Sequence, residues 1–142
     1  MKRILVIDGQ GGGLGRAIIE RIRREGLRGF ELFAVGTNAL ATSQMIKAGA
    51  DAGATGESAI VWNCRQADLI VGAIGIIAAG SMLGELSPAM AEAVGGSKAL
   101  KVLIPLNKCQ IQVAGASGDN LPLRLDQAVD LIRQALADNS AP

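Results

Sequence analysis

Asp8-Gly9-Gln10-Gly11-Gly12-Gly13-Leu14-Gly15 sets five glycines within seven residues, directly after an apolar run. Glycine leaves backbone N–H groups unshielded and allows turns that other residues resist, so this stretch suits a phosphate cradle or a plain turn. Asp8 suits a structural role, accepting hydrogen bonds from the loop amides, with a metal ion or a ligand hydroxyl as the alternative partner. Thr37 and Asn38 follow a second apolar run and can meet a hydroxyl or a phosphate without charge repulsion. Asp51, Thr55 and Glu57 fall near the expected end of a third strand, where they would line the same crevice; Glu57 equally suits the first turn of a helix. Asn107, Lys108 and Cys109 follow a fifth strand. Asn107 suits a polar ligand contact and Lys108 an anion, whereas Cys109 as a nucleophile needs a base or an electropositive setting. The chain holds no histidine to serve as that base.

The elements that must position these residues alternate between two periods. Arg3 to Ile7 is an aliphatic run of the kind buried on both faces of a parallel sheet. Leu14, Ala17, Ile18 and Ile22 then fall at helical spacing, and Gly26 closes the pattern as a helix stop. Phe30 to Val35 is a second strand, and Asn38 caps a helix from Ala39 to Ala48 that Gly49 ends. The spacing predicts a short strand near Ala50 to Ala54, a short helix near Glu57 to Cys64, and a strong central strand within Ala67 to Ile77 that runs into a loop or helix start around Gly72 to Gly75. Ser87-Pro88 opens a helix that Gly95-Gly96 ends. Lys101 to Pro105 is the next strand, Ile111 to Ala114 a short edge strand, and Leu125, Ala128, Val129, Ile132, Ala135 and Leu136 mark a closing amphipathic helix. Strands alternating with helices imply an α/β domain, Rossmann-like and three-layered, with a mostly parallel sheet in the order 3-2-1-4-5. The domain is expected to span residues 1–138, with 139–142 a frayed tail.

Composition narrows the function classes. The chain has 142 residues, 49% apolar and 19% charged, enough for one domain with an aliphatic core and too apolar for a disordered chain. A net charge of +1 with acids and bases interspersed offers no basic patch for nucleic acid or an anionic membrane. No apolar run reaches the roughly 18 residues of a membrane span, and the apolar start is too short for a signal peptide, so a cytoplasmic protein is expected. Cys64 and Cys109, without a Cys-x-x-Cys spacing or a histidine, point to reduced thiols and to no metal site. Trp62 and the methionines read as core or interface packing.

The loop fails the spacing Gly-x-Gly-x-x-Gly, because Leu14 takes the sixth position, but fits Gly-x-x-x-Gly-x-Gly with Gly9, Gly13 and Gly15. Val6 to Ile18 thereby resembles the opening of the short-chain dehydrogenases. That likeness implies a turn off the strand, close approach to a pyrophosphate and close packing of helix on strand for the three glycines. Those enzymes also use a catalytic tyrosine, and this chain has none. An acid about 20 residues past the loop would bind an adenosine ribose; Gly36-Thr37-Asn38 stands there instead. DGQGGGLG, VGTNALAT, KAGADAGATGE and IPLNKC, in that order, resemble a family of small bacterial Rossmann-type proteins classed as a domain of unknown function. This second likeness spans nearly the whole chain and implies a fold and a site, without an activity. The expected function is binding of a nucleotide, NAD(P) or another, or of a different phosphorylated small molecule, at Gly9 to Gly15 with Thr37, Asn38, Thr55 and Asn107 nearby. A single Rossmann domain has one wall of a ligand site, so a homo-oligomer is expected to supply the other. The alternatives are a small reductase, transferase or hydrolase using Asp51, Glu57 or Asp8, and a scaffold with a vestigial loop.

Overall fold

The computed structural model describes residues 1–106, 110–116, 118 and 120–138. Asn107, Lys108 and Cys109, and the tail 139–142, lie outside the described residues. Five strands form one parallel sheet in the order β3-β2-β1-β4-β5. They are β1 (Lys2–Asp8), β2 (Phe30–Gly36), β3 (Ala52–Thr55), β4 (Leu69–Ala73) and β5 (Leu100–Ile104). Between and after them run α1 (Gly13–Arg24), α2 (Ala39–Ala48), α3 (Glu57–Cys64), α4 (Pro88–Gly95) and α5 (Leu121–Ala137), with a 3₁₀ turn at Ile74–Ile77.

Alternation along the strands splits the core in two. Ile4, Val6, Leu32, Ala34, Val71 and Ile104 face α1, α2 and α5, meeting Ile18, Ile22, Met45 and Ile132. Leu5, Ile7, Val35 and Ile70 point the other way, onto Ile60 of α3, Met90 and Val94 of α4, and Ile76. Because both faces are covered, β1 reads as a continuous aliphatic run with no polar alternation. Asn38 caps α2 by accepting from the Ala41 N–H at 2.9 Å, and Ser87 caps α4 by accepting from the Met90 N–H at 3.2 Å.

Two expectations need correction. Residues 111–114 form no strand, since the chain turns through Gly115 at φ 89° and closes a hydrogen bond from the Ala116 N–H to the Val113 carbonyl. Of the two roles expected for Trp62, core or interface packing, the first falls: it sits on the outer side of α3, 61% exposed.

Candidate functional site

In an open parallel sheet the strands deliver their following loops to the carboxyl edge, and the order reverses between β1 and β4. The glycine loop leaves β1 at that point. Gly12 takes a left-handed φ of 77°, and a Cβ there would meet the Ala41 Cα at 2.8 Å, so both conformation and space require glycine. Gly12 also occupies the cap position of α1 with no side chain of its own to accept, so the acceptor for the helix start comes from the end of β1.

Asp8 fills the inner side of that helix start. Its two carboxylate oxygens accept from the Gly9 N–H at 2.8 Å and the Gly15 N–H at 2.6 Å, both buried. Burial pushes the Asp8 carboxyl above its ordinary range, and hydrogen bonds from the Gly15, Gly9 and Leu14 amides partly offset the rise. Gly9 and Gly15 therefore present their donors inward. Gly15 also lets α1 close on α2, since a Cβ there would meet the Met45 Sδ at 2.5 Å.

Gly11 and Gly13 differ from these. Their Cα positions face open space, and among the described residues their N–H groups have no hydrogen-bond partner. They open into a cavity of about 420 Å³ whose wall includes Asp8, the loop from Gly9 to Leu14, Ala73, Gly75, Ser81, Met82, Leu83 and Leu106. Apolar side chains form its far wall, and no described lysine or arginine lines it. The arrangement can hold an electronegative group on backbone amides beside an apolar body.

Sequence reasoning missed the segment that forms the cavity's roof. Residues 78–86 pass from the 3₁₀ turn back over the end of β1, turning left-handed at Gly80, Met82, Leu83 and Gly84. Glu85 anchors this strap. Its Oε1 accepts from the Thr37 hydroxyl at 2.6 Å, the Gln10 N–H at 2.8 Å and the Asn38 amide at 2.9 Å. Those donors, the Thr37 hydroxyl foremost, hold the carboxyl below its ordinary range. One signal was available: Glu85 is the sole charged residue between Asp68 and Glu92.

The remaining expected site residues separate. Thr37 and Asn38 do not line the cavity, because their donors are engaged by Glu85. Thr55 ends β3 two strands away, its hydroxyl 2.8 Å from that of Thr42, and is likewise outside the cavity wall. Asp51 is a clear correction. It precedes β3 and so lies at the opposite edge of the sheet, where it accepts from the Leu32 N–H at 2.9 Å and pairs with Arg23 at 3.2 Å. Glu57 heads α3 and accepts from the Ser87 hydroxyl, joining α3 to α4. Cys64 is buried and its thiol is pushed up to about 11 by burial, which makes it unreactive. Among the described residues no group of acids and cysteines is arranged to hold a metal ion, and no helix is long and apolar enough to cross a membrane.

The sequence profile of the family described as domain of unknown function DUF3842 matches residues 3–137. The chain belongs to that family. No curated protein matches it. Among solved structures it is similar to a dodecameric, FMN-dependent UbiX-like decarboxylase from Escherichia coli O157:H7, with TM-score 0.44 and 17% identity over 91% of this chain and 75% of that one. It is also similar to a mutant FtsZ from M. jannaschii, with TM-score 0.43 and 19% identity over 95% of this chain and 55% of that one. The DUF3842 chain thus spans about half of that FtsZ chain. At these scores neither likeness says anything about activity.

Proposed function

We propose that this DUF3842 protein binds a nucleotide or another phosphorylated small molecule at the start of α1. The observation that carries this reading is the pair of amides, Gly11 and Gly13, without a partner among the described residues and opening beside the start of α1 into a cavity of about 420 Å³. A phosphate placed there gains the Gly11 and Gly13 N–H groups, the Gly15 and Leu14 amides at the helix start being held by Asp8, while Met82, Leu83 and Leu106 offer apolar surface to the rest of the ligand. Gln10, Gly11, Gly12, Gly13 and Leu14 would make the contacts. Asn107 and Lys108 continue from the end of β5, which adjoins this crevice, and are part of the proposal on chain position alone.

The mouth of the cavity supports association with a second copy of the chain. Leu83 stands at its rim 97% exposed, a large apolar residue that a neighbouring subunit would cover.

Thermal unfolding in the presence of NAD(P), ATP, other nucleotides and sugar phosphates tests the binding reading. A ligand at a hundred times its Kd stabilises by about 2.7 kcal/mol, which is readily seen as a rise in Tm. Gly13→Glu has room for its side chain and puts a carboxylate where the phosphate would sit, so it should fold and lose the shift. No shift with any phosphate-bearing ligand would defeat the reading. Of the acids weighed for an enzyme, Asp8 alone lines the cavity, and both its oxygens are committed to backbone amides.

A further inference from the structure

The chain's own carboxylate stands where a dinucleotide would bring its second half. On a doubly wound sheet a dinucleotide lays its pyrophosphate on the first glycine loop and its adenosine ribose over the carboxyl end of β2. Thr37 and Asn38 hold that end here, and both donate to Glu85. A ribose arriving there would find the Thr37 hydroxyl and the Asn38 amide already committed to the Glu85 Oε1, which also holds the Gln10 N–H. A phosphate on that ribose would also meet the carboxylate's negative charge.

The strap keeps Glu85 in place and narrows the approach further. The Gly80 N–H donates to the Leu86 carbonyl at 2.8 Å, the Leu86 N–H to the Ser81 carbonyl at 3.2 Å, and the Ser81 hydroxyl to the Gly75 carbonyl at 2.6 Å. Its packing on the loop is close: a Cβ on Gly9 would meet both the Met82 Sδ and the Thr37 Oγ1 at 2.6 Å. The cavity stops at this barrier on the β2 side. On the other side it extends to Ala73 at the end of β4 and Leu106 beyond β5. At about 420 Å³ it lies in the lower part of the roughly 300–1,000 Å³ spanned by small-ligand sites.

We infer that Glu85 determines specificity: it seals the β2 side against a dinucleotide and confines the ligand to a single phosphorylated unit of mononucleotide size, lying across β1 and β4. This rests on the phosphate-binding reading above. The unit sits with its phosphate on Gly11 and Gly13 and its body against Met82, Leu83 and Leu106.

Calorimetric titration of the full chain with AMP, GMP, UMP and FMN, and with NAD⁺ and NADP⁺, provides the test. The wild-type protein should bind at least one mononucleotide, and NAD⁺ more weakly. Glu85→Ala should tighten NAD⁺ by about tenfold, the worth of hydrogen bonds from the freed Thr37 and Asn38 donors to a ribose oxygen, with the mononucleotide Kd unchanged. Glu85→Gln keeps the strap's bulk, so it should retain mononucleotide affinity and gain less for NAD⁺. Circular dichroism of each variant confirms the fold. The inference is overturned if wild-type protein binds NAD⁺ as tightly as a mononucleotide, or if folded Glu85→Ala gains nothing for NAD⁺. Loss of mononucleotide binding in Glu85→Ala would overturn it too, making Glu85 a ligand acceptor. Mononucleotide binding that Gly13→Glu abolishes, with no gain in Glu85→Ala, sinks the seal alone; no binding by any variant sinks the phosphate site and the seal together.

Discussion

Five glycines in one loop do three different things. Gly9 and Gly15 serve Asp8 and close packing, Gly12 supplies a left-handed turn, and Gly11 and Gly13 face the cavity with amides that have no partner among the described residues. Substitution should separate them. Gly13→Ala is expected to be neutral or to stabilise by about 0.4–1 kcal/mol, since a Cβ fits there and the unfolded chain loses freedom; urea denaturation measures it. Glu85 gives a pH signature at the same scale. Its folded carboxyl lies below the ordinary value of 4.5, so the latch adds stability above that value and loses it as the pH falls through the lowered one. Amide protection factors in residues 80–86, which remove the intrinsic slowing of exchange in acid, should fall as the pH drops for the wild-type protein, and in Glu85→Gln they should be lower and lose that pH dependence. The residue types at Gly9 to Gly15 marked this place in the sequence. Their division of labour was not legible, because it depends on which amides Asp8 reaches.

At the scale of elements, α1 and α2 approach closely through Gly15 and Met45. Gly15→Ala would drive a methyl group into the Met45 thioether and the Asp8 side chain, and is expected to destabilise by about 1–3 kcal/mol in urea denaturation, unlike Gly13→Ala. Ser87 caps α4 and also donates to Glu57 at the head of α3. Ser87→Ala should therefore cost about 1 kcal/mol by the same measurement, most of it from the cap. Caps and stops are local, and Asn38, Gly49, Ser87 and Gly96 were readable from neighbours a few positions away. The strap at 78–86 was not. Met82 and Leu83 turn left-handed without a residue type that favours it, held by contacts to Gly75, Thr37 and Asn38 from other elements.

For the whole molecule, the outer surface of α3 carries exposed Trp62, and the cavity mouth carries exposed Leu83. If a second copy covers the mouth, sedimentation velocity should show a species larger than the monomer, and Leu83→Lys should shift it to monomer without lowering Tm by more than the lost interface accounts for. A monomeric wild-type protein at micromolar concentration would remove the oligomer from the proposal. The ends of α5 tie back to the first strand and helix: Lys2 donates to the Ala135 carbonyl at 2.6 Å, and Arg21 pairs with Asp126. Ile132, fully buried between α5 and the sheet, should cost about 2–5 kcal/mol when cut to alanine, read as a lower urea midpoint.

The sequence by itself determined the alternation of strand and helix, the parallel sheet and its order, and the place of the glycine loop. Those follow from local period, capping residues and the right-handed crossover, none of which needs a distant partner. Tertiary structure alone decided which residues meet there. It sent Asp51 to the far edge of the sheet, because a strand's first residue and its last lie at opposite poles. It also brought Glu85 to Thr37 and Asn38 across nearly fifty positions, where it engages the donors at the end of β2. Hydrogen bonds between such separated residues form only once the sheet has fixed where each loop ends, so the cavity's shape belongs to the fold and not to any one stretch of chain.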